Sequence, residues 1–206
     1  MFFNIVLICI ILIFTEKYKN YNYYEKIIFA LLAVLFATFY SYAQDEKKDA
    51  ETVKTKMDEF TSKTGAITKF TDYSLPNLKT TYASPVTRIR KVESGNAKAF
   101  FYQIEKEGKY SSTTASIEHS DLVEVLKAIK VLIDAVDTDI AANPDYMENK
   151  FVTVDGFQVG YYISKGKASW YLKLTKYGSD NTLFMSDGDS IEQAFTDAKN
   201  KIDSLK

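Results

Sequence analysis

The chain contains one cysteine, Cys9, and one histidine, His119, in 206 residues. Cys9 lies ahead of the expected cleavage point described below. The remainder then has no disulfide, no thiol nucleophile, no thiolate metal site and no lipid-bearing cysteine. With a single histidine, neither a serine nor a cysteine hydrolase of the usual kind has its catalytic partners, and a zinc site lacks ligands. His119 stands just before a helix start, where a structural or surface role explains it more simply than general-base chemistry. The eight glycines are single and separated, so no phosphate-cradling loop is present. Neither sign of charge dominates, with 26 basic and 27 acidic residues. That balance gives no bulk electrostatic grip on nucleic acid or an anionic membrane. The expectation is therefore no cofactor, no bound metal and no nucleic-acid partner.

What is present begins with an address. Lys26 precedes IIFALLAVLFATFYSYA at residues 27–43, which ends in the small-x-small triplet Ser41-Tyr42-Ala43. A basic flank, an apolar core and a cleavage site in that order predict a signal peptide over 26–43, cut after Ala43. The unbroken apolar part is shorter than the roughly 20 residues of a spanning helix. Upstream, Phe, Asn, Ile, Tyr and Lys make up 18 of the first 26 residues, and Gly, Ala, Pro, Ser, Asp and Arg are absent. Residues 1–25 are accordingly expected to be a non-native upstream extension; the alternative is a second apolar anchor. The mature chain, Gln44 to Lys206, has 163 residues, with 23 basic and 25 acidic side chains and no membrane span. That length suits one domain with a sizeable core.

The stretch Phe157 to Lys176 reads as a β-hairpin turning at Lys165-Gly166, since glycine accepts the positive φ of a tight turn. Counting outward pairs Ser164 with Lys167, Ile163 with Ala168, Tyr161 with Trp170, Val159 with Leu172 and Phe157 with Leu174. The other face carries Gln158/Lys173, Gly160/Tyr171 and Tyr162/Ser169. A slip of one residue would oppose apolar to polar positions, so the pattern specifies the register.

Around this hairpin the chain divides into an N-terminal helix segment (44–65), a first β/α half (66–142) and a second (149–206). Val53, Met57 and Phe60 predict a short amphipathic helix over 47–63, stopped at Gly65. Strands are expected at 66–73, 78–83, 86–93, 97–106 and 109–118, with turns at Ser94-Gly95-Asn96 and Glu107-Gly108. Pro76 and Pro85 belong at strand ends or on an edge. Ser120 is placed to cap a long helix with Leu122, Val125, Leu126, Ile129, Leu132, Ile133, Val136 and Ile140 on one face, ended by Asn143-Pro144. Strands follow at 150–155, in the hairpin and at 182–186. Asp189 or Ser190 caps a last helix with Ile191, Ala194, Phe195, Ala198, Ile202 and Leu205 inward, and Ser190 with Gln193 has capping-box spacing.

The segment from Phe100 lies over that from Trp170 without a gap, placing Gly108 on Gly178, Ser116 on Ser186 and Ser120 on Ser190. A repeated hairpin-then-helix unit and chance likeness between two capped hairpins both fit. The predicted class is α+β: an antiparallel sheet with helices packed on one face.

Several clusters carry possible chemistry. Gly178-Ser179-Asp180-Asn181 and Asp187-Gly188-Asp189 are oxygen-rich, as a hard cation requires, yet do not match the twelve-residue calcium loop and also serve as a turn and a cap. Arg88, Arg90 and Lys91, with Lys98 across the hairpin, suit either an anion or a solvated strand face. Most aromatics, including Phe100, Phe157, Tyr161, Trp170 and Phe195, fall on core faces. Tyr162 and Tyr171 fall on the polar face beside Gln158 and Lys173. There they could stack on a sugar or anchor a protein, or pack beneath the N-terminal helix and shield Gly160.

The signal peptide ending in Tyr-Ala-Gln, NKFVTVDGFQVGYY (149–162) and GKASWYLKL (166–174) resemble small exported proteins of Bacteroidetes-type bacteria, over roughly residues 27–206. The resemblance implies export and an α+β fold, and supplies no functional residue. The expected function is a periplasmic, or alternatively secreted, non-enzymatic module binding a protein or glycan at Tyr162, Tyr171, Gln158 and Lys173. The alternative is a hydrolase of envelope or dietary polymers using paired carboxylates among Glu105, Asp155 and Asp187.

Overall fold

The computed structural model describes residues 54–62, 64–108, 111–178 and 180–206. The upstream extension, the signal peptide and the start of the helix expected at 47–63 lie outside the described residues. The chain forms α1 (Lys56–Thr61), then a meander of β1 (Thr68–Leu75), β2 (Val86–Ser94), β3 (Ala97–Lys106) and β4 (Thr113–Glu118). α2 (His119–Ala141) leads into a second meander of β5 (Tyr146–Val152), β6 (Gln158–Ser164), β7 (Lys167–Lys173) and β8 (Thr182–Met185), closed by α3 (Gly188–Leu205). The class is α+β. Instead of one sheet there are two four-stranded antiparallel sheets, ordered β1-β2-β3-β4 and β5-β6-β7-β8.

Both halves run strand, strand, strand, strand, helix. The turn Gly95-Asn96 occupies the place of Lys165-Gly166, and the helices follow β4 and β8 directly. Each helix also leans on the other half: α2 packs against β5, β6 and β7 as well as β3 and β4, while α3 packs against β2, β8 and α2. The core is shared accordingly. Leu122, Val125, Leu126, Ile129 and Leu132 of α2 and Ile191, Phe195, Ala198 and Ile202 of α3 are buried with Ile89, Tyr102, Ile104, Val159, Tyr161, Ile163, Trp170 and Leu172 of the strands. Val92 and Phe101 are buried too, on the opposite face of the first sheet, as their register with Ala99 and Arg90 dictates.

The hairpin pairs as expected from Gln158–Lys173 to Ser164–Lys167. Lys165 and Gly166 take φ +53° and +69°, the double positive φ of a type I′ turn. Other expectations need correction. No strand forms at 78–83. Pro76 ends β1 and Pro85 precedes β2, and between them Leu78 turns into the core while Thr80 makes a single bridge to Met185. Thr81 N–H bonds Phe184 O at 3.0 Å, so this loop straps the edge of β8. Glu118, not Ser120, caps α2 by accepting from Ser120 N–H. Asp187, not Asp189 or Ser190, caps α3, and Ser190 N–H is its donor at 2.7 Å. The Ser190–Gln193 box does not form, because Gln193 donates to Asp197 instead. α1 spans only six residues and carries its own capping box between Thr55 and Asp58.

Candidate binding face

The outer face of the second sheet is built from alternate residues of four strands. Gly160 opens it. A Cβ there would lie 2.3 Å from Asn149 O and 2.7 Å from Lys150 Cβ, so only glycine lets β5 come this close. Neighbouring strands are about 4.8 Å apart, and a β7 side chain that reaches β5 must therefore cross β6. Tyr171 does this opposite Gly160, and its Oη donates to Glu148 Oε1 at 2.6 Å. Tyr171 is only 6 % exposed. Of the two readings of this position, an exposed anchor or a shield over Gly160, the burial fits the second: the ring closes the gap left by Gly160.

Lys150 Nζ also donates to Glu148, at 2.9 Å. Burial, followed by the bond to Glu148, pushes the Tyr171 hydroxyl up, whereas the bonds from Tyr171 and Lys150 hold the Glu148 carboxyl below its ordinary 4.5. The proton stays on the tyrosine. Because the folded value is the lower one, the stability this carboxylate contributes is complete above 4.5 and is lost as pH falls through the folded value. Tyr171→Phe is expected to shrink that acid loss. Melting curves from about pH 6 to pH 3 for wild type and variant check it, and identical slopes would contradict it.

Tyr162 is half-buried and stacks with Tyr146, with ring centroids 6.2 Å apart and planes at 23°. Tyr146 is 63 % exposed and is the residue that sequence reasoning missed. The expected strand start at 150 placed Tyr146 outside the sheet, whereas β5 begins at it. Gln158 and Lys173 pair across the same face and are half-buried. Val152 and Phe184 add exposed apolar surface beside them.

The other candidates are each occupied by an internal partner. Arg88 binds Gln103 and Glu105, Arg90 grips Asp72 at 2.6 and 2.7 Å, Lys91 pairs with Glu93, and Lys98 lies over the Phe100 ring. Arg88 and Arg90 on one face of the strand, and Lys91 on the other, are thus each paired with a carboxylate within the fold. Glu105 is held by Arg88, Asp155 accepts Lys56 N–H, and Asp187 caps α3, so the three carboxylates have three different partners. Asp155 is pushed up by burial and Asp187 held down by Ser190. Asn181 locks its own loop through Thr175 and Tyr177, and Asp180 binds Lys106. No metal-type cluster occurs among the described residues. His119 lies 3.1 Å from Lys206 Nζ and 3.4 Å from Asp203, joining the start of α2 to the end of α3.

A cavity of about 250 Å³ lies under the Leu75–Lys79 loop, lined by Tyr102, Thr87, Met185 and Gln193 among others. Against these, the tyrosine face combines the exposed Tyr146 and the half-buried Tyr162 with charged groups on one sheet face. No protein-family model, curated protein or solved structure matches this chain.

Proposed function

We propose that this chain is an exported, non-enzymatic binding protein of the bacterial envelope, periplasmic in location, whose contact surface is the outer face of the β5–β8 sheet. The resemblance to exported proteins of Bacteroidetes-type bacteria supports the location. The observation that carries the binding reading is the Tyr146–Tyr162 stack, two rings presented together on a strand face. Aromatic faces receive the C–H side of a sugar ring or anchor a protein partner, and large rigid rings lose little entropy on binding. Glu148, Lys150, Gln158 and Lys173 stand around them to meet hydroxyl or amide groups. Tyr171 supports this surface from beneath and takes no part in direct contact. A hydrolase gains no support, because Glu105, Asp155 and Asp187 are each engaged by a different partner.

The test is a glycan array and a periplasmic pull-down with wild type and the Tyr146→Ser/Tyr162→Ser double variant, on protein whose first residue is Gln44. The variant is expected to lose about tenfold or more in affinity for whatever wild type retains. Its melting temperature should stay close to wild type, since Tyr146 is exposed and Tyr162 lies outside the helix-side core. Equal binding by a folded variant would remove this face from consideration.

A further inference from the structure

Among the described residues β5 pairs only with β6, so its other edge has no strand partner among them. Which groups these are follows from the turn. A two-residue turn at Lys165-Gly166 makes Ser164 and Lys167 a hydrogen-bonded pair; even-numbered residues of β6 then bond β7, and odd-numbered ones bond β5. The bond from Thr153 N–H to Phe157 O, at 2.9 Å, continues that phase. Tyr146, Glu148, Lys150 and Val152 therefore turn their N–H and C=O groups toward the free edge. The same four place their side chains on the outer face.

Edge strands in stable proteins are shielded against pairing, and here the edge of β8 is strapped by Thr80 and Thr81. The β5 edge instead exposes Tyr146 and Val152, the latter at 47 %. Its sequence, YMENKFV, is self-complementary about Asn149. Laid antiparallel on a copy of itself with Asn149 on the two-fold axis, Glu148 faces Lys150, Tyr146 faces Val152 and Met147 faces Phe151. The even-numbered residues then form the hydrogen-bonded pairs, as the phase of the ladder requires. The adjacent registers that keep this phase oppose Glu148 to Glu148 or Lys150 to Lys150, which is destabilising. Only the Asn149-centred register matches apolar with apolar and acid with base.

We infer that β5 is a homodimer interface. Two copies of this chain join edge to edge about Asn149 through about eight main-chain hydrogen bonds and two Glu148–Lys150 pairs. Their second sheets become one eight-stranded sheet with an isologous two-fold contact. The Glu148–Lys150 pair within each chain, 2.9 Å, has its charges already placed for exchange across the axis. The dimer would set two Tyr146–Tyr162 stacks on one continuous surface, but the inference does not depend on that surface binding anything.

Sedimentation of the purified protein over about 1 to 100 µM tests this, a range suited to a small strand-paired interface. Wild type is expected to dimerise. Lys150→Glu opposes two glutamate pairs and is expected to weaken the dimer about tenfold or more, while leaving the Tyr171–Glu148 bond in place. Glu148→Lys with Lys150→Glu restores opposite charges and is expected to recover dimerisation. Lys150→Pro removes an edge-facing N–H that no described residue uses, and is also expected to leave a monomer. It decides the matter if the charge-swapped double variant does not fold. A wild type that stays monomeric throughout, or Lys150→Glu and Lys150→Pro dimerising like wild type, would overturn the inference. So would a folded charge-swapped variant that stays monomeric.

Discussion

Trp170→Ala is expected to lower the unfolding free energy by about 3–5 kcal/mol, the range for removing a large buried ring. Trp170 is 6 % exposed and lies against Tyr161, with ring centroids 4.9 Å apart and planes at 59°. It also reaches the start of α3. A Cβ at Gly188 would come within 2.8 Å of Trp170 Cζ2 and 2.7 Å of Ile133 Cγ1. The indole thus fills a space shared by β6, α2 and α3, and three separate elements would have to move to close the hole it leaves. Urea denaturation followed by circular dichroism measures the loss, since the variant has no tryptophan to report by fluorescence. An unchanged midpoint would mean the ring is not in the core and would overturn the hairpin register. Gly188→Ala supplies an internal check: the added methyl meets both Trp170 and Ile133 in wild type and only Ile133 in the Trp170→Ala background, so the two effects should not add.

The β6–β7 hairpin could be read from the chain because its two signals are local and agree. A glycine marks the turn, and strict alternation on both arms fixes which side faces inward. The two long helices were legible for the same reason, through a 3.6-residue apolar period that tolerates no other reading. β5 was not, because its inward positions are Met147, Asn149 and Phe151. Asn149 breaks the apolar alternation and is bonded to Asp139 and Tyr161, which arrive from α2 and β6. A polar residue whose partners lie elsewhere in the chain carries no local mark of being inside. Tyr161 shows the complement: its hydroxyl, pushed up to about 12 by burial and then by Asp139, lies 2.5 Å from that carboxylate. Tyr171 was placed on the correct face, but its burial depends on Glu148, two strands away. The segment 78–83 has strand-forming threonine and tyrosine, yet the prolines that bracket it prevailed. Caps moved by two or three residues because Glu118 and Asp187 offer side-chain acceptors as suitable as the serines that follow them.

Phe195→Ala is expected to be comparably damaging, at about 3–5 kcal/mol, and it tests a different property of the fold. Phe195 is fully buried on α3, edge-on to Tyr102 of β3 at 5.2 Å and tilted against Phe157, just before β6, at 5.8 Å. One ring therefore joins the first sheet to the entry of the second. Were the halves independent units of four strands and a helix, the loss would fall on one of them and split the unfolding into two steps. The shared core argues otherwise: α2 follows the first sheet but packs on the second as well, and α3 follows the second but packs on β2 of the first as well. Each helix covers part of both sheets, so removing the ring that joins them should destabilise both together. The expected result is a single transition at lower temperature, with calorimetric and van't Hoff enthalpies equal. Two resolved transitions, or an unchanged one, would show that the sheets fold apart and that the crossed packing of the helices adds little to the stability of the whole.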